Sequence, residues 1–175
     1  MRNAAALIVQ TVQSEMYMAV IVDCDCDGYT SSAIFINYLH DLFPRYVEHF
    51  VHYFVHDSKQ HGLSDTLDWL SSKDFLKLVV CPDSSSNDYE YHKTLKKQGI
   101  DILVLDHHDA DKISEDAIII NNQLSDYPNK DLSGAGVTWQ FCRYMDKLLN
   151  SNHAEKYRDL VALGLDADMM SLRSI

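Results

Sequence analysis

The chain has 175 residues, of which 46% are hydrophobic, and its formal net charge at pH 7 is −11. This length suits one domain with a full hydrophobic core, and this apolar content excludes a disordered chain. The acidic excess argues against a basic nucleic-acid-binding surface, although bound divalent cations would offset part of a clustered negative charge. No apolar run approaches roughly 18 residues, and the run at residues 4–9 is too short for a secretory leader, so we expect no membrane association.

The four cysteines, Cys24, Cys26, Cys81 and Cys142, form no CxxC pair. This spacing predicts reduced thiols in a cytoplasmic protein. The alternative is that Cys24 and Cys26 act as soft metal ligands. In an extended segment, however, they would point away from the aspartates with which they alternate.

Hydrophobic patterning predicts strands that alternate with helices along the chain. Strands are predicted over residues 18–22, 49–55, 76–81, 102–105 and 117–120. Helices are predicted over residues 29–43, 62–70, 87–98, 137–149 and 154–165, with Pro44 ending the first and Gly99 following the third. This alternation predicts an α/β fold of three layers, in which helices flank a mainly parallel five-stranded sheet with right-handed crossovers.

Acidic and histidine clusters follow several of these predicted elements. The clusters are Asp23-Cys24-Asp25-Cys26-Asp27-Gly28, Asp83, Asp106-His107-His108-Asp109 and Asp166-Ala167-Asp168. Ligands of parallel sheets bind beyond the carboxyl ends of the strands, so the first three clusters should meet at one edge of the sheet. The combination predicts a divalent-metal site with more than one ion.

Three carboxylates at a spacing of two would repel one another unless a cation lay between them. Asp23, Asp25 and Asp27 directly follow a buried predicted strand, and hard divalent cations select such oxygen ligands. Gly28 would then let the chain turn sharply into the next helix. The alternatives are a solvated acidic loop, or Asp27 as the N-cap of that helix.

The histidine pair predicts a division of roles. Adjacent residues of an extended segment face opposite ways, so one of His107 and His108 can bind metal while the other reaches the substrate or the leaving group. Asp106 could orient a ligating imidazole. The alternative is a pair of partly exposed loop histidines.

Asp83 and Asp168 complete the predicted ligand set, with a turn or N-cap and a surface charge as their respective alternatives. Aspartate and histidine donors without cysteine suit Mn²⁺ or Mg²⁺ better than structural zinc. Two such ions roughly 3.5–4 Å apart would clamp a phosphate and activate water for in-line displacement.

Two further segments are candidates for phosphate binding. Residues 132–136 open a predicted helix, so the N–H groups around Ser133, Gly134 and Gly136 would favour an anion. The alternative is tight packing at the start of that helix. His61, in the loop after the second predicted strand, is another candidate phosphate contact.

Four motifs, in their order and spacing, resemble the DHH phosphoesterase family over residues 18–172. The motifs are Val22-Asp23-Cys24-Asp25-Cys26-Asp27-Gly28, Pro82-Asp83-Ser84, Asp106-His107-His108 and Ala162-Leu163-Gly164-Leu165-Asp166-Ala167-Asp168. With Leu132-Ser133-Gly134-Ala135-Gly136-Val137, the set is most similar to the RecJ branch of 5′→3′ single-stranded-DNA exonucleases. The small-substrate branches usually place a His before the first Asp pair, where this chain has Asp23.

The resemblance implies a site for two Mn²⁺ ions, with Mg²⁺ as the alternative metal. One ion would be held by Asp23 and Asp25, the other by Asp27, His107 and Asp168, and both by the bridging Asp83. His108 would contact the scissile phosphate or the leaving group.

The resemblance also implies a longer protein that acts in DNA repair or recombination. Residues 1–175 are predicted to be a DHH-type catalytic domain, and the DHH-associated domain with its glycine-rich substrate motif is expected to lie outside them. Single-stranded DNA is then expected to bind with the help of the missing C-terminal domain, and a replication or repair protein is a further expected partner. Ser84 stands where the family often has Gly, so the turn after Asp83 is expected to differ.

Two alternative functions remain. One is the hydrolysis of small phosphates, namely short oligoribonucleotides, cyclic dinucleotides or pyrophosphate. The other is a non-catalytic DHH-like scaffold that binds a replication or repair partner. The intact acidic and histidine motifs argue against the scaffold, because nothing would then require mutually repelling carboxylates to stay together.

Overall fold

A computed structural model describes residues 1–57, 61–124 and 126–171 of the chain. The strands are β1 Tyr17–Val22, β2 Val51–Val55, β3 Leu76–Pro82, β4 Asp101–Asp106 and β5 Ile118–Asn121. The helices are α1 Arg2–Gln13, α2 Cys26–Leu42, α3 Pro44–Phe50, α4 Leu67–Ser71, α5 Tyr89–Lys97, α6 Gly134–Leu149 and α7 Arg158–Ala167, and a 3₁₀ helix covers Ala154–Tyr157. Within these described ranges no helix has the length and apolar character needed to cross a membrane.

The five strands form one parallel sheet in the order β2-β1-β3-β4-β5. The three central strands β1, β3 and β4 are almost entirely buried, which explains their continuous apolar sequences. The predicted α/β class and the parallel five-stranded sheet are therefore confirmed.

Helices cover both faces of the sheet and give three layers. On one face Val20, Val80 and Leu103 pack against α1, α2, α6 and α7. On the other face Ile21 and Val104 pack against α4 and α5. Successive residues of each strand alternate between these two cores, as the pleat of a β-strand requires.

Several predicted boundaries were wrong. α1 was not predicted, yet its alanines and Ile8 are buried in the larger core. Pro44 ends α2 as predicted but also opens α3, because proline fits the first turn of a helix, so β2 begins at Val51 rather than at residue 49. The predicted helices at 62–70 and 154–165 each begin with residues that form turns or a 3₁₀ helix.

Cys26, Cys81 and Cys142 are free thiols. Cys81 and Cys142 are buried within the two cores, whereas Cys26 is exposed at the start of α2.

Candidate metal centre

The predicted site residues lie where the strands end and where α2, α6 and α7 meet. Asp23 follows β1, Asp83 follows β3, and Asp106 is the last residue of β4. Asp168 is the residue that ends α7, and α7 packs against α2. The parallel order of the sheet thus places three separate sequence motifs at one edge.

Three carboxylates converge on one imidazole nitrogen. The Nε2 atom of His107 lies 3.3 Å from Asp83 Oδ1, 3.5 Å from Asp168 Oδ2 and 3.8 Å from Asp27 Oδ2. His107, Asp27 and Asp83 are buried, while Asp168 is exposed and forms the open side of the cluster. These four residues, which we call the His107 cluster, were all predicted to bind metal.

The His107 cluster has the properties expected of a divalent-metal site. Asp83 Oδ1 and His107 Nε2 are both buried and have no hydrogen-bond partner, which is costly unless another ligand satisfies them. Their carboxylate and imidazole donors suit Mn²⁺ or Mg²⁺. Two groups of three side chains have ligand atoms that lie within 4.8 Å of one another inside each group. One group is Asp27, His107 and Asp168, and the other is Asp83, His107 and the neighbouring His108.

The carboxyl pKa values reflect the same crowding. Burial, together with the charges of Asp27 and Asp106, raises the pKa of Asp83 well above its usual range. Burial also raises the pKa of Asp168, with a smaller contribution from the charge of Asp27. A bound cation would remove this penalty by compensating the negative charge.

The backbone of Asp83 adopts an unusual conformation. Its φ angle is 66°, in the left-handed region, which aspartate tolerates better than most residues. Its N–H group donates to Leu105 O, so the β3–β4 pairing continues into the site. Ser85 also has a positive φ of 77°, and such strained residues concentrate at functional sites.

The N-terminus of α6 holds the Asp27 carboxylate. The N–H groups of Gly134 and Ala135 donate to Asp27 Oδ2 and Oδ1 at 2.6 and 3.1 Å. The N–H of Gly136 donates to Ser133 Oγ, the N-cap of α6. The groups predicted to bind phosphate at Ser133, Gly134 and Gly136 are therefore used within the chain, because a buried aspartate already occupies the positive end of this helix.

Three glycines permit the close approach of the elements that carry the ligands. A Cβ atom on Gly134 would overlap the side chain of Asp83, and one on Gly164 would overlap those of Asp27 and Thr30. Gly28 lies inside α2 and packs against Asp23. Gly28 was predicted to permit a sharp turn into the helix, and here it permits the first turn of α2 to lie directly against Asp23.

Asp23 and Asp25 lie outside the His107 cluster. Asp23 is fully buried, and its carboxylate accepts from Cys24 N–H at 2.9 Å and contacts His61 Nδ1 at 2.5 Å. Asp25 is the N-cap of α2 and accepts from Gly28 N–H at 2.8 Å. The N-cap of α2 is thus Asp25 rather than Asp27. Because α2 begins at Cys26, the segment in which aspartates and cysteines were expected to point in alternate directions is shorter than predicted.

Asp106 orients His108 rather than His107. Asp106 Oδ1 accepts from the backbone N–H groups of both histidines and lies 2.7 Å from His108 Nδ1. Burial acts to raise the pKa of Asp106, but these hydrogen bonds and one from Ser86 N–H outweigh it and lower the pKa. The hydrogen bond between the Asp106 carboxylate and the His108 ring raises the pKa of His108.

A cleft of 520 Å³ opens beside the His107 cluster. His61 and His108 both line it, with ring centroids 6.4 Å apart, and Asp83 of the His107 cluster also lines it. Two histidines, each held at Nδ1 by a buried aspartate, therefore border the space next to the cluster.

Sequence reasoning missed Gly164, Ser86 and Asn121. Gly164 lies inside the recognised Asp168 motif, but its tight contact with Asp27 depends on helix packing. Asn121 ends β5, directly beside Asp106 in the register of the sheet. Its position directly after the predicted strand 117–120 is the signal that could have identified it.

Comparison with protein families gives a match to the N-terminal domain of the DHH family over residues 17–165. The chain belongs to the DHH family. The match spans the sheet and the His107 cluster except Asp168, and it confirms the resemblance inferred from the motifs.

Several relatives carry the same domain within longer proteins. The chain is 41% identical over 175 residues to YorK of Bacillus subtilis (strain 168), whose name proposes a prophage-derived single-strand DNA-specific exonuclease. It is 29% identical over 182 residues to the single-stranded-DNA-specific exonuclease RecJ of Haemophilus influenzae. The alignments cover 99% and 97% of this chain but only 29% and 31% of these relatives.

Solved structures confirm the fold. An exonuclease RecJ bound to manganese superposes with a TM-score of 0.84 at 23% identity, covering 98% of this chain and 44% of that chain. RecJ from Thermus thermophilus in complex with Mn²⁺ gives a TM-score of 0.79 at 23% identity, covering 98% and 24% of the respective chains.

Proposed function

We propose that this chain is the metal-binding catalytic domain of a RecJ-like nuclease that hydrolyses phosphodiester bonds of single-stranded DNA. The observation that carries the proposal is the His107 cluster, in which the buried, unpartnered atoms Asp83 Oδ1 and His107 Nε2 lie 3.3 Å apart. Membership of the DHH family and the names of YorK and RecJ support the nuclease activity and the substrate.

The proposed cofactor is a pair of Mn²⁺ ions, with Mg²⁺ as the alternative. Asp27, Asp83, His107 and Asp168 would hold one ion, and Asp23 and Asp25 with Asp83 would hold the other. When bound, such ions neutralise phosphate charge and lower the pKa of water at the site. The RecJ structures in complex with Mn²⁺ and with Mg²⁺ support this choice of metals.

His108 is the proposed proton donor to the leaving oxygen. Asp106 holds its Nδ1 atom, so Nε2 is the nitrogen that would meet the substrate in the cleft. The raised pKa of His108 keeps more of the imidazole protonated near neutral pH, as a general acid requires. Asp106 acts through His108 by fixing the orientation of its ring.

His61 is the proposed phosphate contact in the same cleft. Its Nδ1 atom lies against the Asp23 carboxylate, and its ring centroid is 6.4 Å from that of His108. A phosphate between the two imidazoles would lie beside Asp83 and so beside the proposed ions. Ser133, Gly134 and Gly136 are not included, because the N–H of Gly134 donates to Asp27 and that of Gly136 donates to the Ser133 hydroxyl.

Binding of a long polyanion is proposed to need more than this chain. The net charge of −11 gives little attraction for DNA, whose affinity depends strongly on phosphate contacts. The chain spans less than a third of YorK and of Haemophilus RecJ, so a C-terminal domain and a replication or repair partner are proposed to contribute.

The second candidate is a hydrolase of small phosphates. A cleft of 520 Å³ is within the range of small-ligand pockets, and an acidic surface would repel a long strand more than a single nucleotide. This candidate uses the same ions and the same histidines but no extended DNA groove.

The test is hydrolysis in Mn²⁺ by this chain and by a longer polypeptide that contains it. The substrates are 5′-labelled single-stranded DNA, the matching duplex, a dinucleotide, a cyclic dinucleotide and pyrophosphate. We expect nucleotide release from the single strand and none with His107→Asn. Cleavage confined to the small substrates would replace the proposal with the second candidate, and no metal-dependent cleavage at all would overturn both.

A further inference from the structure

Asn121 joins two of the loops that form the candidate site. It is 4% exposed at the end of β5, and its Nδ2 atom donates to His108 O at 2.8 Å and to Ser86 Oγ at 2.9 Å. Its Oδ1 atom accepts from Gln123 N–H at 2.7 Å. Both amide hydrogens are thus used on the loops that follow β3 and β4.

These contacts close a ring of hydrogen bonds around His108. Ser86 N–H donates to Asp106 Oδ2 at 3.1 Å, while Asp106 Oδ1 lies 2.7 Å from His108 Nδ1. The Asn121 amide group closes the ring by donating to both the His108 carbonyl and the Ser86 hydroxyl. Asp106 fixes the imidazole from one side, and Asn121 fixes the backbone that carries it from the other.

We propose that Asn121 is a positioning residue for His108, an inference that rests on the proposed hydrolysis for its catalytic consequence. Asn121 holds the His108 peptide at a fixed distance from Ser86, so that the ring keeps both its contact with Asp106 and its place in the cleft. Losing this restraint should mainly lower kcat, because a misplaced acid affects the transition state more than substrate binding.

The neighbouring Asn122 provides a matched control. It is also 4% exposed, but its Nδ2 atom donates to Asn129 O and Lys130 O, in the loop before α6. Substitution of either asparagine by alanine removes one buried amide group that donates two hydrogen bonds. The hydrogen bonds of Asn121 go to the loops of the candidate site, and those of Asn122 do not.

The first measurement is steady-state kinetics in Mn²⁺ with single-stranded DNA, using the longer polypeptide that contains this chain. Asn121→Ala should lower kcat about 10- to 100-fold and leave KM within about twofold, as expected for a lost supporting contact. Asn122→Ala should leave kcat within about threefold of wild type. Equal losses of kcat in the two variants, or a loss confined to KM, would overturn the proposal.

The second measurement does not depend on catalysis. In the metal-free chain labelled with ¹⁵N-histidine, the ring signals of His108 are assigned with His108→Gln and compared at one pH. Asn121→Ala should shift or broaden the His108 signals and leave those of His153 in place, whereas Asn122→Ala should change neither. An unchanged His108 spectrum in a folded Asn121→Ala protein would overturn the proposal even if no substrate is cleaved.

If Asn121→Ala does not fold, Asn121→Asp is used in both measurements. It keeps the shape and the acceptor for Gln123 N–H but lacks the amide donors. The same two changes are expected, and a wild-type kcat with a wild-type His108 spectrum would overturn the proposal.

Discussion

Asp83, a proposed metal ligand, lowers the stability of the metal-free chain. Its carboxylate is buried, lacks a hydrogen-bond partner at Oδ1 and lies near the acidic side chains of Asp27 and Asp106. Its pKa is raised above the value in an unfolded chain, so its protonation favours folding, and that contribution is lost as pH rises through the raised pKa. The metal-free protein is therefore destabilised by Asp83 at neutral pH.

We predict that Asp83→Asn raises the melting temperature (Tm) of the metal-free chain at pH 7 by a few degrees. A neutral amide removes the buried charge, and about 1 kcal/mol changes Tm by roughly 2–4 °C at this chain length. The gain over wild type should shrink as pH falls through the raised pKa of Asp83. The same variant should lose most of the Tm rise that Mn²⁺ gives to wild type. Thermal melts in EDTA and in Mn²⁺ measure both effects.

The control for this variant is Asp74→Asn, which removes an exposed carboxylate before β3. It should change the metal-free Tm by less than about 1–2 °C, as is usual for surface substitutions, and keep the full response to Mn²⁺. A lower Tm for metal-free Asp83→Asn at pH 7, or an unchanged Mn²⁺ response, would contradict the account of this residue.

Helices, rather than loops alone, set the position of the ligands. α6 places its first N–H groups on Asp27, Asp168 is the C-cap of α7, and α2 carries Asp27 in its first turn. Glycines at the contacts let these helices approach the strand ends more closely than any larger residue would permit. The cluster therefore depends on helix packing as much as on the sheet.

We predict that Gly134→Ala weakens Mn²⁺ binding at least about tenfold, because the new methyl group would displace the Asp83 side chain. Gly136→Ala is the matched control two residues further along α6. Its methyl group would meet only the Leu132 side chain, and alanine favours a helix by about 1 kcal/mol over glycine. Both variants keep their backbone N–H groups. Metal titration followed by calorimetry compares them, and equal affinities would show that the close approach at Gly134 has no role.

At the scale of the whole molecule, the fold places several carboxylates at one edge of the sheet. Divalent cations are expected to offset their negative charge. We predict that excess Mn²⁺ raises the Tm of the chain by roughly 5–10 °C over EDTA. A ligand at about 100 times its dissociation constant adds about 2.7 kcal/mol to the free energy of unfolding. Titration should end at two ions per chain. Matching NaCl is the control for ionic strength, and no difference between Mn²⁺ and NaCl would count against the site.

We also predict that residues 1–175 alone hydrolyse single-stranded DNA feebly, even with Mn²⁺ bound. The 26 acidic residues outnumber the 15 basic ones, so the chain offers few favourable phosphate contacts. Extending the polypeptide with its downstream segment, where one is encoded, should raise kcat/KM far more than additional Mn²⁺ does. Rapid digestion of long single strands by residues 1–175, at a rate equal to that of the longer protein, would show that the cleft needs no further domain.

Much of the fold could be predicted because the central strands are buried on both faces. Their continuous apolar runs identified β1, β3 and β4 nearly to the residue. α3 could not be predicted, since Pro44 looks like a stop signal and its role as a first-turn residue depends on packing. α1 was missed because its short apolar run was considered only as a possible leader.

The amino-acid sequence was sufficient to identify the family and the parallel sheet, because motif order and strand patterning are local properties, and it also led us to propose six metal ligands. The tertiary structure divided those ligands, joining Asp27 to Asp83, His107 and Asp168 while giving Asp23 to His61 and Asp25 to the start of α2. It also assigned the N–H groups of α6 to Asp27 rather than to a phosphate. The contact between Ala135 and Asp27 joins residues 108 positions apart, and such contacts depend on how helices pack over the sheet, which no local pattern encodes.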